Sequence, residues 1–196
     1  MDSRIGNSFL KTSVGFGGSC FQKDILNLVY IARSEGLDKV ADYWEQVLII
    51  NQHQRDRFSN KIIDCINKNN LEPKVLLLGW AFKKNTNDTR ESPAIEIVKN
   101  LIEENAKVYI YDPKVSHKRM ADELCKKIEG KNTNQNCFFC ENIEETFINA
   151  DAILITTEWE EFKKIKKPAF IFDGRNILNV NELNKIGFNY LGLGRK

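Results

Sequence analysis

The pattern of apolar and polar residues divides the chain into a helical part and a part in which strands and helices alternate. In the helical part, apolar residues near one face predict a helix over residues 21–35, and Gly36 would end it. These residues are Phe21, Leu26, Val29 and Tyr30. A longer helix is predicted over residues 38–67, with apolar side chains on more than one face. Because its length of about 45 Å exceeds the need of a small core, we predict that it contacts a second subunit.

From residue 74 onwards, short apolar runs alternate with amphipathic segments. The predicted strands cover residues 74–79, 107–111, 137–140, 152–156, 170–172 and 190–193. Ser92-Pro93 has the residue order that begins a helix, and the other predicted helices cover residues 117–127, 143–149 and 159–163. Continuous apolar strands joined by helices are typical of a parallel sheet covered on both faces. We therefore predict an α/β fold, with a Rossmann-like doubly wound parallel sheet over residues 69–196 and a helical region over residues 1–68.

Composition excludes several classes of protein. The chain is 42% apolar and 29% charged, which is enough to form a core, and its net charge of +2 gives no electrostatic reason to expect nucleic acid. Its longest apolar run, residues 75–82, is too short to cross a bilayer, and the first residues lack the order of a signal peptide. We predict a cytoplasmic protein with neither membrane nor nucleic-acid partners.

The cysteines favour reduced thiols over disulfides, because they are five in number and unevenly spaced. They are Cys20, Cys65, Cys125, Cys137 and Cys140. Cys137 and Cys140 form a C-x-x-C pair, which can bind zinc, perform redox chemistry or simply lie on a short strand. His53 and His117 are isolated and no second pair supplies further ligands, so we predict no metal site.

Cys20 is the first candidate for covalent chemistry. It lies between a glycine-rich stretch, residues 15–19, and the predicted start of a helix, with Lys23 and Asp24 close behind. A thiol attacks as its thiolate, which is favoured at a helix N-terminus and beside a cation. The glycines allow backbone amides to approach a ligand closely.

Cations also follow two predicted strands. They occur within residues 82–92, after the first strand, and within residues 173–175, after a late strand. Ligands of parallel sheets bind at the carboxyl ends of strands, so these cations suit a phosphate, although solvated surface charges are the alternative. The G-x-G-x-x-G fingerprint is missing, since the glycines at 15, 17 and 18 follow no predicted strand.

Several separated motifs resemble the UDP-glucose/GDP-mannose dehydrogenase family, in the family's order and over nearly the whole chain. They are residues 9–24 (FLKTSVGFGGSCFQKD), 82–92 (FKKNTNDTRES), 111–113 (YDP), 157–159 (TEW) and 172–175 (FDGR). The first two are most similar to the UDP-glucose 6-dehydrogenases. Such enzymes have an N-terminal NAD-binding domain, a central dimerisation helix and a C-terminal UDP-sugar-binding domain. The sequence matches only the last two and the cysteine loop, so we expect a fragment that is inactive alone.

The resemblance implies oxidation of UDP-glucose to UDP-glucuronate with two NAD, which the family binds mainly through the N-terminal domain missing here. Cys20 would form a thiohemiacetal and then a thioester, and Asp24 would position water or a proton. The partner would be a second copy bound through the helix at 38–67, in a dimer or a larger oligomer.

The resemblance also implies residues that bind substrate and cofactor. Those for the UDP-sugar are Arg4, Phe9, Leu10, Lys11, Thr12, Ser13, Val14, Gly15, Phe16, Gly17, Phe82, Lys83 and Arg175. Those for NAD are Cys20, Phe21, Gln22, Lys23 and Arg90. Two alternatives remain, a non-catalytic module for nucleotide-sugar binding or dimerisation and a GDP-mannose-type dehydrogenase fragment, which titration with UDP-glucose and GDP-mannose would separate.

Overall fold

A computed structural model shows an α/β fold, and it describes residues 11–68, 74–127, 136–143, 150–164, 170–185 and 187–194. The helices are α1 (Phe21–Ser34), α2 (Asp38–Lys68), α3 (Pro93–Glu103), α4 (His117–Lys127) and α5 (Val180–Lys185), with a 3₁₀ helix at Glu160–Lys164. The strands are β1 (Lys74–Leu78), β2 (Lys107–Tyr111), β3 (Cys137–Phe139), β4 (Ala152–Ile155), β5 (Phe170–Asp173) and β6 (Asn189–Gly192).

The six strands form one sheet in the order β3-β2-β1-β4-β5-β6, and every pairing is parallel. The predicted Rossmann-like, doubly wound sheet is thereby confirmed. Strand order reverses between β1 and β4, where side-chain hydroxyls join the two following loops: Thr156 donates to the Gly79 carbonyl at 2.6 Å, and Thr157 to the Ala81 carbonyl at 2.6 Å. Ligands of such sheets bind in the crevice at this point.

Most predicted boundaries lie within one residue of the observed ones, and the differences have local causes. The predicted strand at 137–140 ends at Phe139, and the predicted helix at 159–163 is the 3₁₀ helix Glu160–Lys164. Helix α5 has no counterpart among the predictions, because its six residues bury only Leu183 and show no amphipathic repeat. The predicted helix at 143–149 lies, after Ile143, outside the described residues.

Helix α1 has the predicted extent but not the predicted buried face. Its buried residues are Ile25, Val29 and Ala32, whereas Phe21, Leu26 and Tyr30 are exposed. The buried face packs against α2 around Ala41, and this contact rather than the largest side chains decides the orientation. The helix ends at Ser34, and Gly36 terminates it as predicted: with φ +71° it turns the chain so that the Leu37 amide donates to the Ala32 carbonyl at 2.8 Å.

Helix α2 spans 31 residues and joins two apolar clusters. Its first half packs on α1, and its second half contributes Phe58, Ile62 and Ile66 to the core beneath the sheet. The division of the chain at residue 68 stays a prediction, since this core continues across it. None of the helices within the described ranges is both long and apolar enough to span a membrane.

Candidate functional site

The glycine-rich turn of residues 11–19 is wedged against two loops at the carboxyl edge of the sheet. Val14 is completely buried against Gly174, directly after β5, where a Cβ would clash with the Val14 side chain. A Cβ on Gly17 would clash with the Glu91 carbonyl, and the Gly18 amide donates to the Arg90 carbonyl at 2.8 Å. A side chain is therefore sterically excluded at positions 17 and 174.

Cys20 is exposed at the N-cap position of α1, directly after this turn. Its Sγ lies 3.6 Å from Ser19 Oγ, and its carbonyl accepts the Asp24 amide at 2.8 Å. Asp24 is exposed in the first turn of the helix. Phe16 and Phe21 pack edge to face across the turn, with ring centroids 4.7 Å apart. The thiol is therefore accessible to a ligand at the N-terminus of a helix.

Arg90 presents a fixed cation on the same side as Cys20. Asp88 accepts two bonds from its guanidinium, at 2.9 Å from Nε and 2.8 Å from Nη2. The hydrogen bonds to Asp88 raise the pKa of Arg90, and attraction to Cys20 raises it by a smaller amount. The same hydrogen bonds lower the pKa of Asp88. The Arg90 side chain remains 62% exposed, so a ligand can reach its guanidinium.

Phe82 and Lys83, which follow β1, are brought to the same turn. A Cβ on Gly18 would lie 3.0 Å from the Phe82 ring, so the ring packs directly on the turn. Lys83 is exposed, with Nζ 5.2 Å from the centre of that ring. The Phe82 amide donates to the Asp88 carbonyl at 3.1 Å and closes the loop.

Arg175 reaches the same edge of the sheet, but its charge is already paired. It forms an ion pair with Glu158, and the two side chains are only 9% and 13% exposed. Arg175 Nε is buried without a hydrogen-bond partner within the described part of the chain. Glu158 belongs to the motif at 157–159 and was not among the predicted site residues. A ligand that draws on Arg175 has to compete with this carboxylate.

Asp112, directly after β2, organises the loops around the site rather than facing solvent. Its carboxylate accepts hydrogen bonds from five donors, which are the amides of Trp80, Ala81, Lys114 and Val115 and the indole of Trp159. The distances lie between 2.7 and 3.2 Å. Asp173, the last residue of β5, similarly accepts from the amides of Arg175 and Leu178. Neither anchor was predicted, although the Asp-Pro and Asp-Gly pairs within the motifs at 111–113 and 172–175 are a sequence signal that could have indicated them.

A second polar cluster supports the loop from the side of α4. The Glu123 carboxylate accepts the Thr89 hydroxyl, the Trp80 indole at 2.9 Å and Arg119 Nε at 3.1 Å. Thr89 is completely buried. An open cavity of about 200 Å³ lies beside this cluster and is lined by Thr89, Arg90, Glu91, Ile95, Glu123 and Lys126. Glu123 had no recognisable sequence signal, because α4 is a polar helix with many charges.

The remaining predicted site residues divide into three groups. Arg4, Phe9 and Leu10 lie outside the described residues. Lys11 and Thr12 are exposed at the start of the turn, where the Ser13 hydroxyl donates to the Gly15 carbonyl at 2.8 Å. Gln22 and Lys23 lie in the first turn of α1, next to Cys20.

The C-x-x-C pair is part of the sheet edge. Cys137 is buried on β3, and burial, together with Cys140 and Cys125, raises its pKa to about 12. In the described segments, no three His, Cys, Asp or Glu side chains come together in a way that could hold a metal ion. The strand interpretation of the pair accounts for the buried thiol.

Comparisons with known proteins agree with this geometry. Residues 76–180 match the UDP binding domain of the UDP-glucose/GDP-mannose dehydrogenase family, and residues 1–53 match the central domain of that family. UDP-glucose 6-dehydrogenase 4 of Arabidopsis thaliana is 45% identical over 214 residues, which cover 99% of this chain and 45% of that protein. UDP-glucose 6-dehydrogenase of Pongo abelii is 46% identical over 209 residues, covering 100% of this chain and 42% of that protein.

A solved structure shows the same fold. It is a UDP-glucose dehydrogenase from the archaeon Pyrobaculum islandicum, with a TM-score of 0.77 at 25% identity, covering 100% of this chain and 42% of that one. A GDP-mannose dehydrogenase from Pseudomonas aeruginosa shares the fold with a TM-score of 0.73 at 20% identity. The chain therefore spans less than half the length of these relatives.

Proposed function

The chain belongs to the UDP-glucose/GDP-mannose dehydrogenase family, and we propose that it is the cysteine-bearing, UDP-sugar-binding part of a UDP-glucose 6-dehydrogenase. The observation that carries the proposal is the convergence of the Cys20 turn with Phe82, Lys83 and Arg90 at the carboxyl edge of the sheet. These residues come from distant parts of the chain, and the edge where they meet is where such folds bind ligands. The exposed thiol is carried by this turn, and the Arg90 guanidinium is close enough to attract it.

The Cys20 thiolate is the proposed nucleophile in the oxidation of the substrate's C6 alcohol to a carboxylate. After the first oxidation, the sulfur adds to the aldehyde carbon, and the aldehyde oxygen takes up a proton to give a thiohemiacetal. Loss of hydride from that carbon, and of the hydroxyl proton, leaves a thioester. Water then attacks the thioester, the carbon–sulfur bond breaks, and Cys20 is regenerated as the carboxylate leaves. Asp24, one helical turn away, is the residue proposed to orient the water or accept its proton.

NAD, when bound, supplies the hydride acceptor for both oxidations. This chain's proposed contribution is residues 20–23 and Arg90. The exposed guanidinium of Arg90, held by Asp88 beside the Cys20 turn, fits an anionic group of a dinucleotide. Lys23 adds a second exposed cation on α1.

The nucleotide sugar is expected to lie along the turn of residues 11–17. Exposed Lys11 and Lys83 provide positive charge for the diphosphate, and the Phe82 ring supports the turn from beneath. Arg175 is the third proposed phosphate contact, which would exchange part of its pairing with Glu158 for the ligand.

We further propose a homodimer through α1 and α2. These helices carry exposed apolar side chains on the surface that faces away from the two cores, and contiguous patches of this kind mark interfaces. The exposed residues of the helices are Phe21, Leu26, Leu28, Tyr30, Ile31, Val40, Tyr43, Ile49 and Ile50, and Leu37 between the two helices is exposed as well. The reduced cytoplasm is the expected compartment, because the five cysteines are odd in number and unevenly spaced, which favours reduced thiols.

Calorimetric titration with UDP-glucose and with GDP-mannose tests the proposal. We expect UDP-glucose to bind, and GDP-mannose to bind at least about tenfold more weakly, a difference of about 1.4 kcal/mol. If neither ligand binds, the chain has no nucleotide-sugar site and the proposal is contradicted. Preference for GDP-mannose would assign it to the other branch of the family.

A further inference from the structure

Helix α2 holds the Cys20 turn through Asn51, a side chain that the proposed reaction does not use. Asn51 is only 8% exposed. Its Oδ1 accepts the Phe16 amide at 2.8 Å, and its Nδ2 donates to the Phe16 carbonyl at 3.2 Å. The carboxamide thus satisfies both polar groups of one turn residue, as a paired strand would.

Arg55, one helical turn further along α2, connects the Cys20 turn to the loop that carries Arg90. It is 5% exposed, and its Nη2 donates both to the Phe16 carbonyl at 2.7 Å and to the Glu91 carbonyl at 3.0 Å. One nitrogen therefore bridges two segments that are far apart in sequence. The Gly18 amide adds a direct bond to the Arg90 carbonyl at 2.8 Å.

The shape of the turn is matched to these two side chains. Gly15 has φ +141°, and a Cβ there would lie 2.9 Å from Asn51 Oδ1 and 3.2 Å from Arg55 Cγ. Any other residue at position 15 would be strained and would push the turn away from α2. The glycine and its two neighbours on α2 therefore form one contact surface.

Burial of Arg55 costs free energy, because its charged guanidinium loses contact with water. Burial lowers its pKa, opposed by the negative charges of Glu91, Glu96 and Asp56. Its Nε has no hydrogen-bond partner among the described residues. If a buried guanidinium served only for packing, an apolar side chain could replace it without loss of stability. What an apolar side chain could not replace in Arg55 is its pair of hydrogen bonds to the carbonyls of Phe16 and Glu91.

We propose that Asn51 and Arg55 are positioning residues that fix the Cys20 turn against the 88–91 loop and so keep the Cys20 sulfur near the Arg90 guanidinium. The attraction between Cys20 and Arg90 already contributes to the pKa of that arginine. The hydrogen bonds of Asn51 and Arg55 are observed in the structure, whereas a catalytic role for them rests on the proposed dehydrogenase function. In that function the contact between α2 and the turn holds the nucleophile beside a cofactor-binding cation.

The test measures how strongly Cys20 prefers an anionic alkylating reagent to a neutral one. Rates with iodoacetate and iodoacetamide are determined by peptide mass spectrometry, and their ratio reports positive charge near the sulfur. We expect Asn51→Ala and Arg55→Met each to lower this ratio about threefold, because the turn and Arg90 move apart. Arg55→Lys keeps a hydrogen-bond donor, so its ratio of iodoacetate to iodoacetamide rates is expected to lie between those of Arg55→Met and the parent chain.

Three variants make the readout specific. Arg90→Ala removes the cation and is expected to lower the ratio at least as much as the positioning variants. Arg57→Ala and His53→Ala change exposed residues of α2 and are expected to leave the alkylation ratio unchanged. Buried Cys137 monitors folding, since its alkylation rises sharply only if the chain opens.

Amide hydrogen exchange provides the second measurement on the same variants. Loss of the Asn51 bond is expected to speed exchange of the Phe16 amide about fivefold while core strand amides keep their rates. Folded variants that keep both the parent ratio and the parent exchange rate at Phe16 would overturn the proposal. Failure of the parent chain to bind UDP-glucose would overturn the proposed function instead and leave these two readouts untouched.

Discussion

At the residue scale, polar side chains at the same edge of the sheet have opposite roles, which burial and hydrogen bonding separate. Cys20 and Lys83 face solvent and are available to a ligand, whereas Asp112 is buried and its carboxylate is fully used by loop donors. Arg175 is intermediate, because it lies at the edge but is paired with Glu158. Proximity to the site therefore does not by itself make a residue part of the chemistry.

Cys20 is expected to react with iodoacetamide faster than the other four cysteines at neutral pH. It is exposed at a helix N-terminus beside Arg90, whereas Cys137 is buried with a pKa of about 12. Peptide mass spectrometry over a labelling time course gives the five rates in one experiment. Cys125, which is also exposed, is the matched control for accessibility alone. Equal rates at Cys20 and Cys125 would mean that Cys20 is an ordinary surface thiol.

Lys83→Ala and Arg175→Ala are both expected to weaken UDP-glucose binding by about 1–3 kcal/mol, the value of charge-assisted bonds. They should differ in stability. Lys83 is exposed, so its loss leaves the fold unaffected, whereas Arg175→Ala leaves Glu158, only 13% exposed, without its partner and lowers the free energy of unfolding. Calorimetry and urea unfolding measure the two effects.

Lys185→Ala on α5 removes an exposed lysine and serves as the control for general charge effects. Unchanged affinity in Lys83→Ala would remove that residue from the proposed site. Unchanged stability in Arg175→Ala would mean that the ion pair with Glu158 contributes nothing in solution.

At the scale of elements, the order and nature of the strands could be predicted, because each is a short apolar run bounded by turn residues. The buried face of α1 could not, since large side chains such as Tyr30 remain exposed where α2 leaves no partner for them. Within the site, the motif residues around Cys20 and Phe82 were recognised by resemblance. Glu158, Asn51 and Arg55 were not, because only the folded chain shows which backbone groups and charges they meet.

Asp112→Ala is expected to lower the free energy of unfolding by about 3 kcal/mol, because it leaves several buried donors unpaired. The loops after β1 and β2 would lose their common anchor. Urea unfolding followed by tryptophan fluorescence is informative, since Trp80 and Trp159 both donate to this carboxylate. Asp122→Ala, an exposed position on α4, is the control. Equal stability of the two variants would contradict the anchoring role.

At the scale of the whole molecule, the exposed apolar surface of α1 and α2 is the feature that one copy of the chain leaves unexplained. The chain is expected to dimerise through it, because Tyr30, Tyr43 and Ile50 are each more than 60% exposed. Light scattering over a concentration series gives the mass. Ile50→Glu should shift the population to monomers, and Gln52→Glu, at an exposed polar position, should not. A monomer mass at every concentration would rule out this interface.

Protection of Cys20 by ligand tests the central claim most directly, that this thiol faces the bound nucleotide sugar. Iodoacetamide labelling is measured with increasing UDP-glucose, with Cys125 as the internal reference. The account predicts that Cys20 labelling slows about tenfold at saturation while Cys125 labelling stays constant. Saturable binding of UDP-glucose that leaves the Cys20 rate unchanged would contradict it.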